Sequence, residues 1–169
     1  MKTSVLFLLA ATLAVAADPV TIRATLQNPA DRKPAPAFTL RDAAGETVTL
    51  KKLRGHVVLL DFWATWCHGC KEEIPLFVEF QKTYGPKGLV VVGISIDEGG
   101  WPVLKPFLTE NHVPYRMLLG NDATMQTFGL KGLPDTYVID KKGRIAASYT
   151  GGVVNREDIE ANIRAVLAH

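Results

Sequence analysis

The alternation of apolar and polar positions divides the chain into short, separate elements. "AFTLRDAAGETVTL" (37–50) alternates about a turn at Asp42–Gly45 and predicts a β-hairpin. "KKLRG" is a short turn or helical piece ending at Gly55. "HVVLLDFWA" (56–64) is a β-branched and aromatic run, the pattern of a buried strand. From Cys67 the spacing becomes helical. Ile74, Phe77, Val78, Gln81 and Tyr84 share one face, Gly85-Pro86 ends it, and Pro75 inside it removes a backbone donor. "GLVVVGISID" (88–97) is a second buried strand, and "WPVLKPFLTENH" a helix with a proline-marked start. "PYRMLL" (114–119) is a short strand, and Asp122 is placed to cap "ATMQTFG". "TYVID" and "RIAASYT" form a hairpin across Lys141-Lys142-Gly143. Asn155 and Asp158 open a last helix whose apolar face is Ile159, Ile163, Val166 and Leu167. The order predicts an α/β fold: a mixed sheet flanked by helices, parallel at its centre, antiparallel at its edges, with an added N-terminal hairpin.

The two ends of the pattern differ in kind. Met1-Lys2 followed by the apolar run Ser4–Ala17, with Ala14-Val15-Ala16 as a small-x-small site, reads as a signal peptide over residues 1–16. The alternative is an uncleaved N-terminal membrane anchor, although the run is shorter than the roughly 20 residues a spanning helix needs. Residues 17–34 are polar and proline-bearing and read as a flexible lead-in, leaving 35–169 as one folded domain. Residues 1–16 carry one lysine, so cleavage takes Lys+Arg from 19 to 18 against 17 acids, a net charge of +1. That balance, with no basic patch, argues against nucleic acid as a partner. Export implies a periplasmic or otherwise extracytoplasmic, oxidising compartment, where thiols pair.

The chain has two cysteines, Cys67 and Cys70, both in "DFWATWCHGC". A disulfide between them closes almost no loop and constrains little of the unfolded chain, so it is a poor staple. Chemistry is the better use. A helix N-terminus leaves N–H groups unpaired and favours negative charge, so a thiolate at Cys67 is stabilised. Cys70 lies one turn further in. The division that follows is attack by Cys67 and resolution by Cys70.

Five neighbours have candidate roles. Asp61 ends an apolar run, where burial would raise its pKa and let it exchange a proton with Cys70. Glu73, three residues after Cys70, is a second proton carrier or simply a solvated acid. His68 as imidazolium would favour the Cys67 thiolate and make the disulfide more oxidising. Trp63 and Trp66 would pack around and shelter the site, with Trp66 also offering partners a flat contact. Haem attachment is excluded because Lys71 stands where C-x-x-C-H needs histidine, and a four-ligand zinc site lacks its second cysteine pair. Cu(I) carriage on Cys67, His68 and Cys70 remains as a rival from another class.

"LRGHVVLLDFWATWCHGCKEEIP" resembles the active-site segment of the thioredoxin superfamily, most closely the exported TlpA/ResA-type thiol:disulfide oxidoreductases. "APAFTLRDAAGETVTLKKLRG" is similar to that branch's opening hairpin and "FGLKGLPDTYVIDKKGRI" to its later signature, and the likeness spans about residues 35–168. It implies a thioredoxin fold, a catalytic Cys67, a resolving Cys70, and a cis bond between Leu133 and Pro134 in a loop that lies against the disulfide and holds a partner segment. No cofactor is implied beyond the Cys67–Cys70 disulfide, and no metal. The implied partners are exported proteins with disulfides or dithiols, apocytochromes c among them, and a membrane thiol electron donor. Glu73 matches the glutamate these reductases carry after the motif. Four positions depart. Exported members often have Asn at Asp61; Gly93 stands where thioredoxin pairs a lysine with that acid; and His68-Gly69 is neither common intervening pair. The alternative direction, a dithiol oxidant or isomerase, therefore stays open. Peroxiredoxins share the fold but require a Thr/Ser and a proline where Ala64 and Leu60 stand, and Sco-type copper carriers space their cysteines by three.

Overall fold

A computed structural model describes residues 21–169; the signal segment expected at 1–16 lies outside the described residues. The strands are β1 (Thr39–Asp42), β2 (Thr47–Thr49), β3 (Val57–Trp63), β4 (Leu89–Ser95), β5 (Arg116–Leu119), β6 (Asp135–Ile139) and β7 (Ile145–Thr150). The helices are α1 (His68–Tyr84), α2 (Trp101–Glu110), α3 (Asp122–Phe128) and α4 (Arg156–Leu167). "LKKL" forms a 3₁₀ turn at Leu50–Leu53, capped by the Thr49 side chain on the Lys52 amide. The strands form one sheet in the order β2-β1-β5-β4-β3-β6-β7. β3 pairs parallel with β4, and β4 with β5; the remaining pairings are antiparallel.

β3 is an interior strand, between β4 and β6, and all seven of its residues are buried, so both of its faces are covered. Alternation sends Val57, Leu59 and Trp63 to one face, where they join Ile74, Phe77 and Phe80 of α1 and Ile159 and Ile163 of α4. Val58, Leu60 and Phe62 go to the other face, with Leu40, Val48 and Ile94. Asp61 falls in the first set by its place in the alternation and is fully buried. α1 begins directly beyond the end of β3. Its buried stripe is Cys70, Glu73, Ile74, Phe77, Phe80 and Tyr84, so Phe80 holds a core position and Val78 and Gln81 lie at its margin.

Two local expectations change. α3 is capped by Asn121 rather than Asp122: the Asn121 side chain accepts the Thr124 N–H at 2.9 Å, and Asp122 occupies the first turn. The lead-in is not loose. Ile22 bridges Val154 in parallel, Pro34 bridges Arg144, and Gln27 N–H donates to Ala146 at 2.8 Å. Arg32 is buried and reaches Asp140 at 3.4 Å, while Arg144 reaches the same carboxylate at 2.7 Å. Polar composition predicted solvation. The backbone of this segment, at Ile22, Ala24 and Gln27, instead finds partners on β7, on the loop after it and on α4, which ties it to the fold.

Candidate active site

Cys67 and Cys70 are joined, with Cα atoms 5.3 Å apart. Cys67 is the N-cap of α1: its backbone is extended, and its sulfur accepts the Cys70 N–H at 3.2 Å. The same amide and the same helix end would face a Cys67 thiolate. Cys67 is 8% exposed and Cys70 is fully buried, so a partner meets Cys67 first.

Gly69 lies against two walls of the site. A Cβ built on it would stand 3.0 Å from Val153 Cγ2 and 3.6 Å from Pro134 Cδ. The Leu133–Pro134 bond is cis, as the resemblance implied. Cys67, His68, Gly69, Leu133, Pro134 and Val153 together line a groove of about 770 Å³. A second groove of about 810 Å³ runs on from it, sharing Trp66, Ile96 and Met125.

The two tryptophans part company. Trp63 is fully buried and packs against Phe107 in a tilted arrangement, ring centroids 5.3 Å apart. Trp66 is 66% exposed, so it shelters nothing and stands as an apolar rim on both grooves. It lies past the end of β3, in a turn where alternation no longer buries a side chain. His68 also points outward. Its side chain is 89% exposed, and Nε2 is 3.2 Å from Glu72 one helical turn on. Among the described residues no group of three or more His, Cys, Asp or Glu side chains is arranged to hold a metal ion.

The sheet face under α1 carries acids. Asp61 Oδ1 accepts from the Thr136 hydroxyl at 3.2 Å. Burial raises its pKa to about 7; the Thr136 bond opposes this and the Asp135 charge adds to it. Glu73 lies three residues beyond Cys70, on the same face of α1. Its Oε1 accepts the Val154 N–H at 2.7 Å. Burial, then the charge of Asp61, raises the Glu73 pKa to about 9. Burial and both carboxyls also hold the Tyr115 phenol well above its ordinary range. Asp61 Oδ2, Glu73 Oε2, Trp63 Nε1 and Tyr115 OH find no protein hydrogen-bond partner among the described residues. Four polar atoms on one covered face make a buried polar island within an apolar layer.

The register fixes Gly93 opposite Asp61. A Cβ on Gly93 would come within 2.3 Å of Met117 Sδ and 3.0 Å of Trp63 Nε1. No lysine fits there. Among the described residues Asp61 is left with a hydroxyl partner and no ion pair. Thr136, Tyr115 and the Val154 amide were not candidates from sequence. Each reaches the acids across strands or loops distant in the chain, where periodicity carries no signal.

The comparisons with known proteins agree with this geometry. The AhpC/TSA family model matches residues 32–148. Thiol:disulfide interchange protein DsbE of Pseudomonas fluorescens biotype C is 36% identical over 141 residues, covering 80% of this chain and 76% of that protein. Thiol-disulfide oxidoreductase ResA of Bacillus thuringiensis (strain Al Hakam) is 30% identical over 135 residues, covering 79% of this chain and 77% of its own. The crystal structure of a thioredoxin-family thiol:disulfide interchange protein from Chlorobium tepidum TLS superposes with TM-score 0.72 at 27% identity, covering 83% of this chain and 99% of that one. The chain belongs to the AhpC/TSA family, and within it is a thiol-disulfide oxidoreductase of the ResA/DsbE type.

Proposed function

We propose that this oxidoreductase works outside the cytoplasm as a reductant of disulfides in exported proteins, apocytochromes c among them. In this reading the Cys67 thiolate attacks one sulfur of a partner disulfide. The partner's S–S bond breaks, and its second sulfur leaves as a thiolate that takes up a proton. Cys70 loses its proton to Asp61 and attacks Cys67, releasing the partner's first sulfur. Two electrons have then passed to the partner, and the enzyme carries the Cys67–Cys70 disulfide. A membrane thiol donor restores the dithiol. Glu73 holds its own proton at neutral pH and keeps the site from carrying two negative charges. Leu133, Pro134 and Gly69 form the wall along which the partner segment lies, and Trp66 gives it an apolar edge.

The direction of electron flow rests chiefly on His68. An imidazolium held against Cys67 would stabilise the thiolate and make the disulfide oxidising. The His68 side chain instead faces solvent and Glu72. Among the described residues the Cys67 thiolate then has the helix end and the Cys70 amide, while the buried Asp61 carboxylate, which has no ion-pair partner there, opposes further negative charge.

The test is the Cys67–Cys70 reduction potential, from glutathione or dithiothreitol equilibria followed by tryptophan fluorescence. A value near about −270 mV supports the reductant. A value near about −120 mV overturns it in favour of a dithiol oxidant.

A further inference from the structure

The segment before the hairpin reaches the acid site through one residue. Ile22 N–H donates to the Val153 carbonyl at 2.8 Å, and the Ile22 carbonyl accepts the Asn155 N–H at 2.7 Å. Val154 lies between those two bonds. Neighbouring N–H groups of an extended chain point to opposite sides. Pairing Val153 and Asn155 with Ile22 therefore turns the Val154 N–H away from the strap, and it is this N–H that donates to Glu73 Oε1 at 2.7 Å.

Side chains repeat the connection. A Cβ on Gly152 would come within 2.9 Å of Ile22 Cγ2, so Ile22 sits directly on the loop backbone. The next residue, Val153, is the one whose Cγ2 lies against Gly69 between the cysteines. Two bonds to α4 hold the strap beyond Ile22. Ala24 N–H donates to Asp158 at 3.0 Å, and Asn162 donates to the Ala24 carbonyl at 3.1 Å.

We propose that Ile22 is a positioning residue for the thiol–disulfide chemistry: it clamps residues 152–155 against α1, which sets the Val154 amide on Glu73 and the Val153 wall on the cysteine loop. The inference rests on the exchange chemistry and not on its direction. With the clamp released, water reaches Glu73. Burial is the largest influence on that carboxyl, and the lost amide bond opposes it more weakly, so its proton is released at lower pH. The other titratable groups facing Glu73 are Asp61 from β3, Tyr115 from the segment before β5, Glu72 on its own helix and, in the reduced protein, Cys70 one turn before it on the same face.

The experiment uses the full chain and follows the reduction potential and the Cys67 alkylation rate against pH. Glu73→Gln first identifies the inflection that belongs to Glu73. Ile22→Pro then removes the N–H donated to Val153, Ile22→Ala removes the contact with Gly152, and Ile22→Val keeps both the amide and the β-branch. The expected result is that Ile22→Ala, and Ile22→Pro where it folds, move the Glu73 inflection down by about one pH unit or more, with Ile22→Val at the wild-type position. A folded Ile22→Ala protein that is less stable but keeps the wild-type inflection overturns the proposal. A wild-type potential near the oxidant value would overturn the reductant reading and leave the Ile22 result unaffected.

Discussion

Replacing Asp61 by Asn should make the oxidised protein more stable at alkaline pH. The folded carboxyl has its pKa raised from 3.8 to about 7. The native state therefore binds more protons than the unfolded chain between those values. Stability is highest below the unfolded pKa, falls as pH rises through the window, and levels off above the folded pKa. The span is about three pH units at about 1.4 kcal/mol each, or about 4 kcal/mol across the window. Asparagine keeps the shape and can still meet the Thr136 hydroxyl, but it carries no charge. Guanidinium unfolding of the oxidised protein at pH 5 and pH 9, read by tryptophan fluorescence, compares the two. Between these values Asp61 passes through about two pH units of its window, about 3 kcal/mol of the wild-type loss, and Glu73 adds a further loss over the same range. Asp61→Asn should lose clearly less, with a residual slope from Glu73, whose pKa is raised to about 9. Parallel losses in the two proteins would mean that burial does not raise the Asp61 pKa in the folded protein.

Three further outcomes follow from the same geometry. Thr136→Val removes the bond that favours ionised Asp61, so the pH midpoint of Cys70-dependent release of a mixed disulfide should move upward in stopped-flow measurements. Gly93→Ala places a Cβ against Met117 and Trp63, and should cost about 1–3 kcal/mol in denaturant unfolding. Trp66→Ala should change unfolding stability by less than about 0.5 kcal/mol, because the side chain is 66% exposed, while raising the KM for a protein disulfide and leaving a small-molecule disulfide unaffected.

The sequence was most legible where chemistry and periodicity coincide. An apolar run entering C-x-x-C placed Cys67 at a helix start and Cys70 one turn inside, and the structure makes Cys67 the N-cap. The β-branched runs marked β3 and β4 because both faces of each are covered. The burial of Asp61 was readable from its apolar neighbours, whereas Glu73 was not, since Lys71 and Glu72 beside it look like a solvated face. The resemblance, not the pattern, singled out the Leu133–Pro134 bond. Composition misread residues 21–34, because hydrogen bonds to distant backbone leave no hydrophobic period. It also treated Trp66 as sheltering, because an aromatic in a turn carries no sign of which way it faces.

The contact between Ile22 and Val154 has a consequence for the order of assembly. The bond from Ala24 to Asp158 spans 134 residues of chain, and that from Val154 to Glu73 spans 81. Closing spans of this length waits on the collapse of what lies between, so both are late events. A nascent chain that has emerged only as far as β6 already holds both thiols and both acids. It has neither the amide that receives Glu73 nor the carboxylate that receives the strap. The reactive pair is therefore made early in synthesis, and the setting that governs its protons is completed when the last loop and helix arrive.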